Sequence, residues 1–169
     1  YRLETSLVRS SAEQTFDVRA DLIQQYIRLM RQNVYTLERT IESRFEQIER
    51  SGARAPEIDS IRFHPEYDVW GVSGLESENG VPALSGTLTG LDSLSDPTAF
   101  VEKELTAVLY NDSQFQTLLE NIPDIIWVYY TSKNDFIYIA PDPAIADFRF
   151  SEVVHTKEFW TQAVPDNNP

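Results

Sequence analysis

The chain has 169 residues, of which 41% are apolar and 24% are charged, so it is long and apolar enough for one folded domain, or a helix plus one domain, and is not intrinsically disordered. Its 14 Lys and Arg against 27 Asp and Glu give a net charge of −13, which argues against binding to nucleic-acid phosphates or anionic lipid headgroups. There are no cysteines, which excludes disulfide scaffolds, thiolate metal sites and cysteine nucleophiles.

The sequence contains no membrane-spanning pattern. No run approaches the roughly 18 apolar residues of a membrane span, and no signal peptide is visible. The chain begins at Tyr1 without Met, which is typical of a segment of a longer protein. We therefore expect any membrane anchor to lie outside it.

The first predicted element is one long helix over residues 12–50, ended by Gly52. Its apolar residues recur at steps of three and four, close to a heptad seam: Ile23, Ile27, Met30, Val34, Leu37, Ile41, Phe45 and Ile48. We expect Ile27, Val34 and Ile41 to lie on its buried side. At about 1.5 Å per residue the helix is about 55–60 Å long. Two compatible interpretations are a dimerising coiled coil and a stalk rising from a membrane.

Strands are predicted next. After a loop over 52–66, strand patterns cover 67–73 and 84–91, and the Gly- and Pro-containing stretch 74–82 between them is a turn or hairpin loop.

Two helices are predicted to follow. Asp96 and Pro97 favour a helix start as N-cap and first helical residue, and the apolar face would be formed by Val101, Leu105, Val108 and Leu109. Residues 111–113 break this helix and cap a second, short one that stops at Pro123.

The strongest β signal is a hairpin with strands over 125–131 and 136–140 and a four-residue turn over 132–135. Ser151 is then expected to cap a short helix that runs to about Trp160. The order of elements predicts an α+β fold, in which a long N-terminal helix packs on an antiparallel sheet with flanking short helices.

The last third of the chain carries a family resemblance. Residues 122–132, Ile-Pro-Asp-Ile-Ile-Trp-Val-Tyr-Tyr-Thr-Ser, resemble the central strand of double Cache (PDC, PAS-like) sensor domains of bacterial chemoreceptors, histidine kinases and diguanylate cyclases. Residues 136–141, 157–160 and 167–169 fit the same pattern. The long initial helix is also similar, because in that family it rises directly from the first membrane span.

The resemblance implies a PAS-like sheet with a small-molecule pocket on one face. It implies the periplasmic, extracytoplasmic part of an inner-membrane receptor, which binds a metabolite and passes a movement down the helix to a cytoplasmic output domain. Residues 1–51 would form the stalk and homodimerisation helix, and residues 52–169 the sensor module. The chain stops before the module's final strand or strands, and such an open edge could pair with another chain.

The predicted ligand site combines hairpin aromatics with the segment that follows them: Trp127, Tyr129, Tyr138, His155, Lys157 and Trp160. Trp127 and Tyr129 share one strand face and offer stacking surface with polar groups. Amino-acid-sensing members of the family carry an Arg and an aromatic pair after the hairpin, and the nearest match here is Lys157 with Phe159 and Trp160. Lysine lacks the bidentate fork of arginine, which argues against an amino-acid ligand. As a positive group in a protein of net charge −13, Lys157 favours the capture of a small anion.

Other interpretations of these residues stay open. Trp127 and Tyr129 could instead be core residues, and His155 could be a satisfied surface histidine. The acidic residues Asp142, Asp147 and Glu152 could bind a cation or an amine, or simply be solvated.

Enzyme signals are absent from the sequence. No GxSxG, P-loop, GxGxxG or HExxH motif occurs, so we expect no catalytic residue, metal or cofactor. The rival to sensing is a structural or assembly domain that dimerises through its long helix and binds a protein partner. A closed aromatic and polar cavity above the hairpin would favour sensing, and a solid core would favour assembly.

Overall fold

The structure, a computed structural model, describes residues 2–74, 83–122 and 124–157, without the side chains of residues 2–14 and of Glu152. The described part is α+β, as predicted: a long N-terminal helix, an antiparallel sheet and short helices. The chain forms two compact units, residues 1–39 and 40–169.

The N-terminal helix α1 runs without a break over Arg2–Ser51, which confirms the predicted helix and extends it towards the N-terminus. Gly52 ends it in the left-handed region, at φ +66°, where its N–H donates to the Ile48 carbonyl at 2.8 Å. Glycine is favoured there because it has no Cβ to clash in that conformation. Within the residues that the structure describes, no helix combines the length and apolar character needed to cross a membrane.

The prediction that Ile27, Val34 and Ile41 lie on a buried side of α1 is wrong for Ile27 and Val34. Ile27 is 45% exposed and Val34 is 65% exposed, so a single chain leaves this part of the seam uncovered. Among the described side chains of α1, residues 15–51, only those at the C-terminal end are built into a core. Ile48 is buried there, and the ring of Phe45 lies 5.5 Å from that of Phe100.

The described strands form one five-stranded antiparallel sheet in the order β1-β2-β3-β5-β4. They are β1 Arg62–His64, β2 Val69–Val72, β3 Thr87–Gly90, β4 Val128–Thr131 and β5 Phe136–Ala140. The predicted pairing of β4 with β5 is confirmed. Strand β1 falls in a predicted loop, because it is only three residues long and Pro65 follows it. Residues 125–127, predicted as strand, are not part of β4.

The turn between β4 and β5 is one residue shorter than predicted. The Ser132 N–H donates to the Phe136 carbonyl at 2.9 Å, and Thr131 pairs with Ile137. The loop therefore comprises Lys133, Asn134 and Asp135, and Asp135 adopts the left-handed conformation at φ +58°. This is the arrangement expected of a three-residue hairpin loop.

The described α-helices after β3 are α2 Ala99–Leu109, α3 Asp112–Asn121 and the short α4 Ala144–Asp147. The predicted cap of α2 is wrong: Thr98, two residues beyond Asp96, accepts the N–H of Val101 at 3.3 Å through its hydroxyl. Short 3-10 helices cover Pro56–Ser60, Asp92–Leu94 and Glu152–Thr156. The last of these begins after Ser151, as predicted, but Ser151 makes no side-chain cap.

The sheet separates two layers. Residues paired across an antiparallel ladder point to the same face, so Leu88, Tyr138 and Tyr130 share one face, which α2 and α3 cover. We call this the helical face. The opposite face carries Thr89 and Tyr129, among others, and receives residues 142–156. We call it the outer face.

Candidate functional site

A groove of about 750 Å³ opens on the outer face of the sheet. It is lined by residues 67–69 before and at the start of β2, by Leu91 after β3, and by residues 147–151 and Val153. Its size lies within the range of small-molecule sites. The groove lies within the second compact unit, residues 40–169.

The groove wall is held by side-chain to backbone hydrogen bonds. The N–H of Phe150, which is buried, donates to the Thr89 hydroxyl at 2.8 Å. Asp142 accepts the N–H of Gly74 at 2.7 Å, the N–H of Ala144 at 2.9 Å and the hydroxyl of Thr87. Asp142 therefore ties the segment after β5 to the sheet.

This role of Asp142 bears on the three acidic residues that could bind a cation or an amine, Asp142, Asp147 and Glu152. At least one of its three members is a structural hydrogen-bond acceptor, and the side chain of Glu152 lies outside the description. Among the described residues, no group of three or more His, Asp or Glu is placed to hold a metal ion.

The chemistry of the groove is mixed. The guanidinium of Arg149 lies 5.3 Å from the centre of the Tyr67 ring, a cation–π distance, and also donates to the Ala146 carbonyl at 3.4 Å. Asp68 and Asp147 add carboxylates. Such a lining can stack an apolar or aromatic group while a fixed charge orients a polar one.

Trp127 and Tyr129, two of the predicted site residues, lie on the outer face. Trp127 is 53% exposed and Tyr129 is 47% exposed, so the alternative that they are core residues is wrong. The ring of Trp127 lies 6.4 Å from that of Phe148, which lines the groove. Trp127 is thus next to the groove, although neither it nor Tyr129 is among the residues that line it.

Tyr138 lies on the helical face, so the sheet separates it from Trp127 and Tyr129. It is fully buried, its ring makes an edge contact with Phe115 at 5.3 Å, and its hydroxyl donates to Asp112. Burial, followed by the nearby Asp112 carboxylate, raises the pKa of the Tyr138 hydroxyl. Its hydroxyl is therefore a protonated structural donor in the core and cannot reach a ligand on the outer face.

The remaining predicted site residues come after the groove-lining residues in the sequence. His155 lies at the β4–β5 turn, where its Nε2 is 3.0 Å from the Ser132 carbonyl oxygen. Lys157 is exposed and does not line the groove. Trp160 lies outside the described residues. The structure thus brings Trp127, Tyr129 and His155 to one face, and their role as ligand contacts stays a prediction.

The sequence reasoning missed the groove residues Tyr67, Arg149 and Phe150. One local signal was available in the sequence: residues 148–150 are Phe-Arg-Phe, a cationic residue flanked by two aromatic residues. Comparisons with known proteins add no further candidate: no protein-family model matches the chain, and neither a curated protein nor a solved structure matches it.

Proposed function

We propose that this chain is the ligand-sensing module of a membrane-anchored signalling receptor, similar to double Cache domains and located on the extracytoplasmic side. The proposed ligand is a small molecule bound in the groove, and the proposed output domain lies outside this sequence. Support comes from the fold, in which an antiparallel sheet carries helices on one face and a groove on the other. The acidic surface argues against nucleic-acid partners.

The observation that carries this proposal is a continuous set of contacts between the hairpin and the long helix. On the helical face, Glu104 of α2 accepts the hydroxyl of Tyr130 at 2.7 Å and the amide of Asn134 at 2.6 Å. One residue earlier on α2, Lys103 lies 3.4 Å from Glu49 of α1. A shift of the hairpin can therefore move α2 and, through it, the end of α1.

The hydroxyl of Tyr130 stays a donor in this network. Burial, reinforced by the charge of Glu104, raises its pKa. The bond to Glu104 therefore persists across the physiological pH range, as a rigid connection between sheet and helix requires.

The groove also refines the proposed ligand chemistry. If the ligand is a small anion, Arg149 is the better anchor, because it lines the groove and its guanidinium can hold a carboxylate or phosphate through two hydrogen bonds. Lys157, the anchor predicted from the sequence, is exposed and outside the groove lining.

A thermal-shift screen of small carboxylates, amines and sugars tests the proposal. A ligand at about 100 times its Kd adds about 2.7 kcal/mol to the free energy of unfolding, which raises the melting temperature by several degrees. Val153→Arg should abolish this shift, because it places a long charged side chain on an exposed groove position. Ile126→Arg should preserve it, because Ile126 is exposed outside the groove lining. A shift retained in Val153→Arg would contradict binding in the groove.

A second candidate function is assembly through the N-terminal helix, which a different observation favours. Ile23, Ile27 and Val34 of the α1 seam are exposed in the single chain, and large apolar side chains spaced along a helix at heptad positions are typical of a coiled-coil partner face. Assembly and sensing are compatible, because a dimeric helix can also transmit a signal.

A further inference from the structure

Arg149 is the basic residue among the described residues that line the groove. Its guanidinium lies 5.3 Å from the centre of the Tyr67 ring and donates one long hydrogen bond, of 3.4 Å, to the Ala146 carbonyl. These contacts hold the group in place without neutralising its charge. They leave further N–H donors of the guanidinium available, and a carboxylate can bind to such donors through two parallel hydrogen bonds.

The guanidinium makes no ion pair in the part of the chain that the structure describes, although two carboxylates line the same groove. Those carboxylates belong to Asp68 and Asp147. In a protein with 27 acidic residues and a net charge of −13, a cation without a carboxylate partner on a groove wall favours the binding of an anion. The two acidic residues repel any further negative charge in the groove. The charges therefore favour a monoanion over a dianion.

The rest of the described groove lining is mainly apolar and aromatic. It comprises Tyr67, Val69, Leu91, Phe148, Phe150 and Val153. The ring of Trp127, 6.4 Å from that of Phe148, extends the aromatic surface beyond the lining. Aromatic rings attract one another in offset or edge-on arrangements, beyond the effect of burying apolar area. A flat aromatic ligand therefore fits this wall better than an aliphatic one.

We propose that the groove binds an aromatic monocarboxylate, with its carboxylate on the guanidinium of Arg149 and its ring against Phe148 and the apolar residues of the wall. This inference rests on the proposed function of the groove, and it narrows the ligand to one chemical class. Asp68 and Asp147 exclude dicarboxylates and phosphates by charge repulsion.

Titration calorimetry on the full chain tests the ligand class, with benzoate, phenylacetate and phenylpropionate as probes. At least one of them should bind. Its cyclohexyl analogue should bind about three- to tenfold more weakly, because it lacks the aromatic ring. The analogue with a second carboxylate should bind about tenfold more weakly, and the analogue with an amine in place of the carboxylate should not bind detectably.

Matched arginine variants test the anchor. Arg149→Met removes the charge and keeps most of the stem, and it should weaken binding of the best probe by about tenfold or more. Arg62→Met is the control and should bind like the wild type, because Arg62 is also an exposed arginine that donates to backbone carbonyls but lies outside the groove lining. Arg149→Lys should restore only part of the affinity, because lysine has no bidentate fork.

A further variant tests the charge selection. Asp147→Asn removes one carboxylate from the exposed part of the groove wall and should reduce the preference for the monocarboxylate over the dicarboxylate analogue. An unchanged preference in this variant would overturn the role given to Asp147.

The outcomes distinguish this inference from the proposed function. Equal affinities of wild type and Arg149→Met, equal binding of the acid and its amine analogue, or binding of the acid that persists in Val153→Arg would overturn the inference. If another compound of the thermal-shift screen binds in the groove and no aromatic acid does, the inference is wrong and the proposed function stands. If no compound of any class binds, the proposed function fails and this inference fails with it.

Discussion

Replacing Phe115 by alanine should lower the free energy of unfolding of the second unit by about 3–5 kcal/mol. Phe115 is fully buried between α3 and the sheet, where its ring meets that of Tyr138 edge-on. The substitution removes a large apolar side chain and leaves a cavity that rigid neighbours cannot fill. Urea denaturation followed by tryptophan fluorescence measures the loss.

Phe63→Ala is the matched control for that substitution. Phe63 is on the edge strand β1 and is partly exposed, although its ring contacts that of Trp70 at 5.3 Å. We expect this variant to lose only about 1 kcal/mol. Equal losses in the two variants would mean that α3 does not pack on the sheet as described.

The second large effect is expected at the seam of α1. The double variant Ile27→Lys and Val34→Lys should weaken self-association by about 100-fold or more, because each chain would bring two charges into an apolar interface. Analytical ultracentrifugation measures the change. Gln25→Lys and Gln32→Lys add the same charge to exposed positions on the opposite side of the helix and should leave the dimer intact.

The charge pattern beside the seam is compatible with a parallel pair of helices. If Ile27, Val34 and Ile41 take the a positions of the heptads, the flanking g and e positions of two parallel chains pair as Arg19 with Gln24, Tyr26 with Arg31 and Asn33 with Glu38. None of these pairs joins like charges, and each is compatible with a hydrogen bond or a cation–π contact. A wild-type chain that stays monomeric at high concentration, or a seam variant that dimerises like its control, would contradict the assembly.

Much of the fold could be predicted from the sequence, because its signals are local. The heptad steps of α1 and the β-branched and aromatic residues of the hairpin each specify one element within a short window. The cap of α2 could not be fixed in this way, because Asp96 and Thr98 are both good N-cap residues, and the structure uses Thr98.

The placement of Tyr138 shows where a local pattern is insufficient. A four-residue turn over 132–135 would pair Thr131 with Phe136 and place Tyr129 and Tyr138 on one face. Because Asp135 adopts a left-handed conformation, the loop has three residues and the register shifts by one. A one-residue shift moves every side chain to the other face, so Tyr138 lies in the core instead of the predicted ligand site.

The groove could not be predicted because its residues come from distant parts of the chain. Tyr67, Leu91 and Arg149 meet only once the sheet has formed in its observed order. The sequence indicated the right side of the hairpin through Trp127 and Tyr129. It could not show that residues 147–153 form the wall beside them.

If ligand binding in the groove moves the N-terminal helix, as proposed, the distance between spin labels on the two helices of a dimer should change. The chain has no cysteine, so Gln32→Cys gives one labelled site per chain. The compound with the largest thermal shift should change the distance distribution between the two labels, and Val153→Arg should abolish that change. An unchanged distribution at saturating ligand, with binding confirmed by calorimetry on the same sample, would contradict the claim.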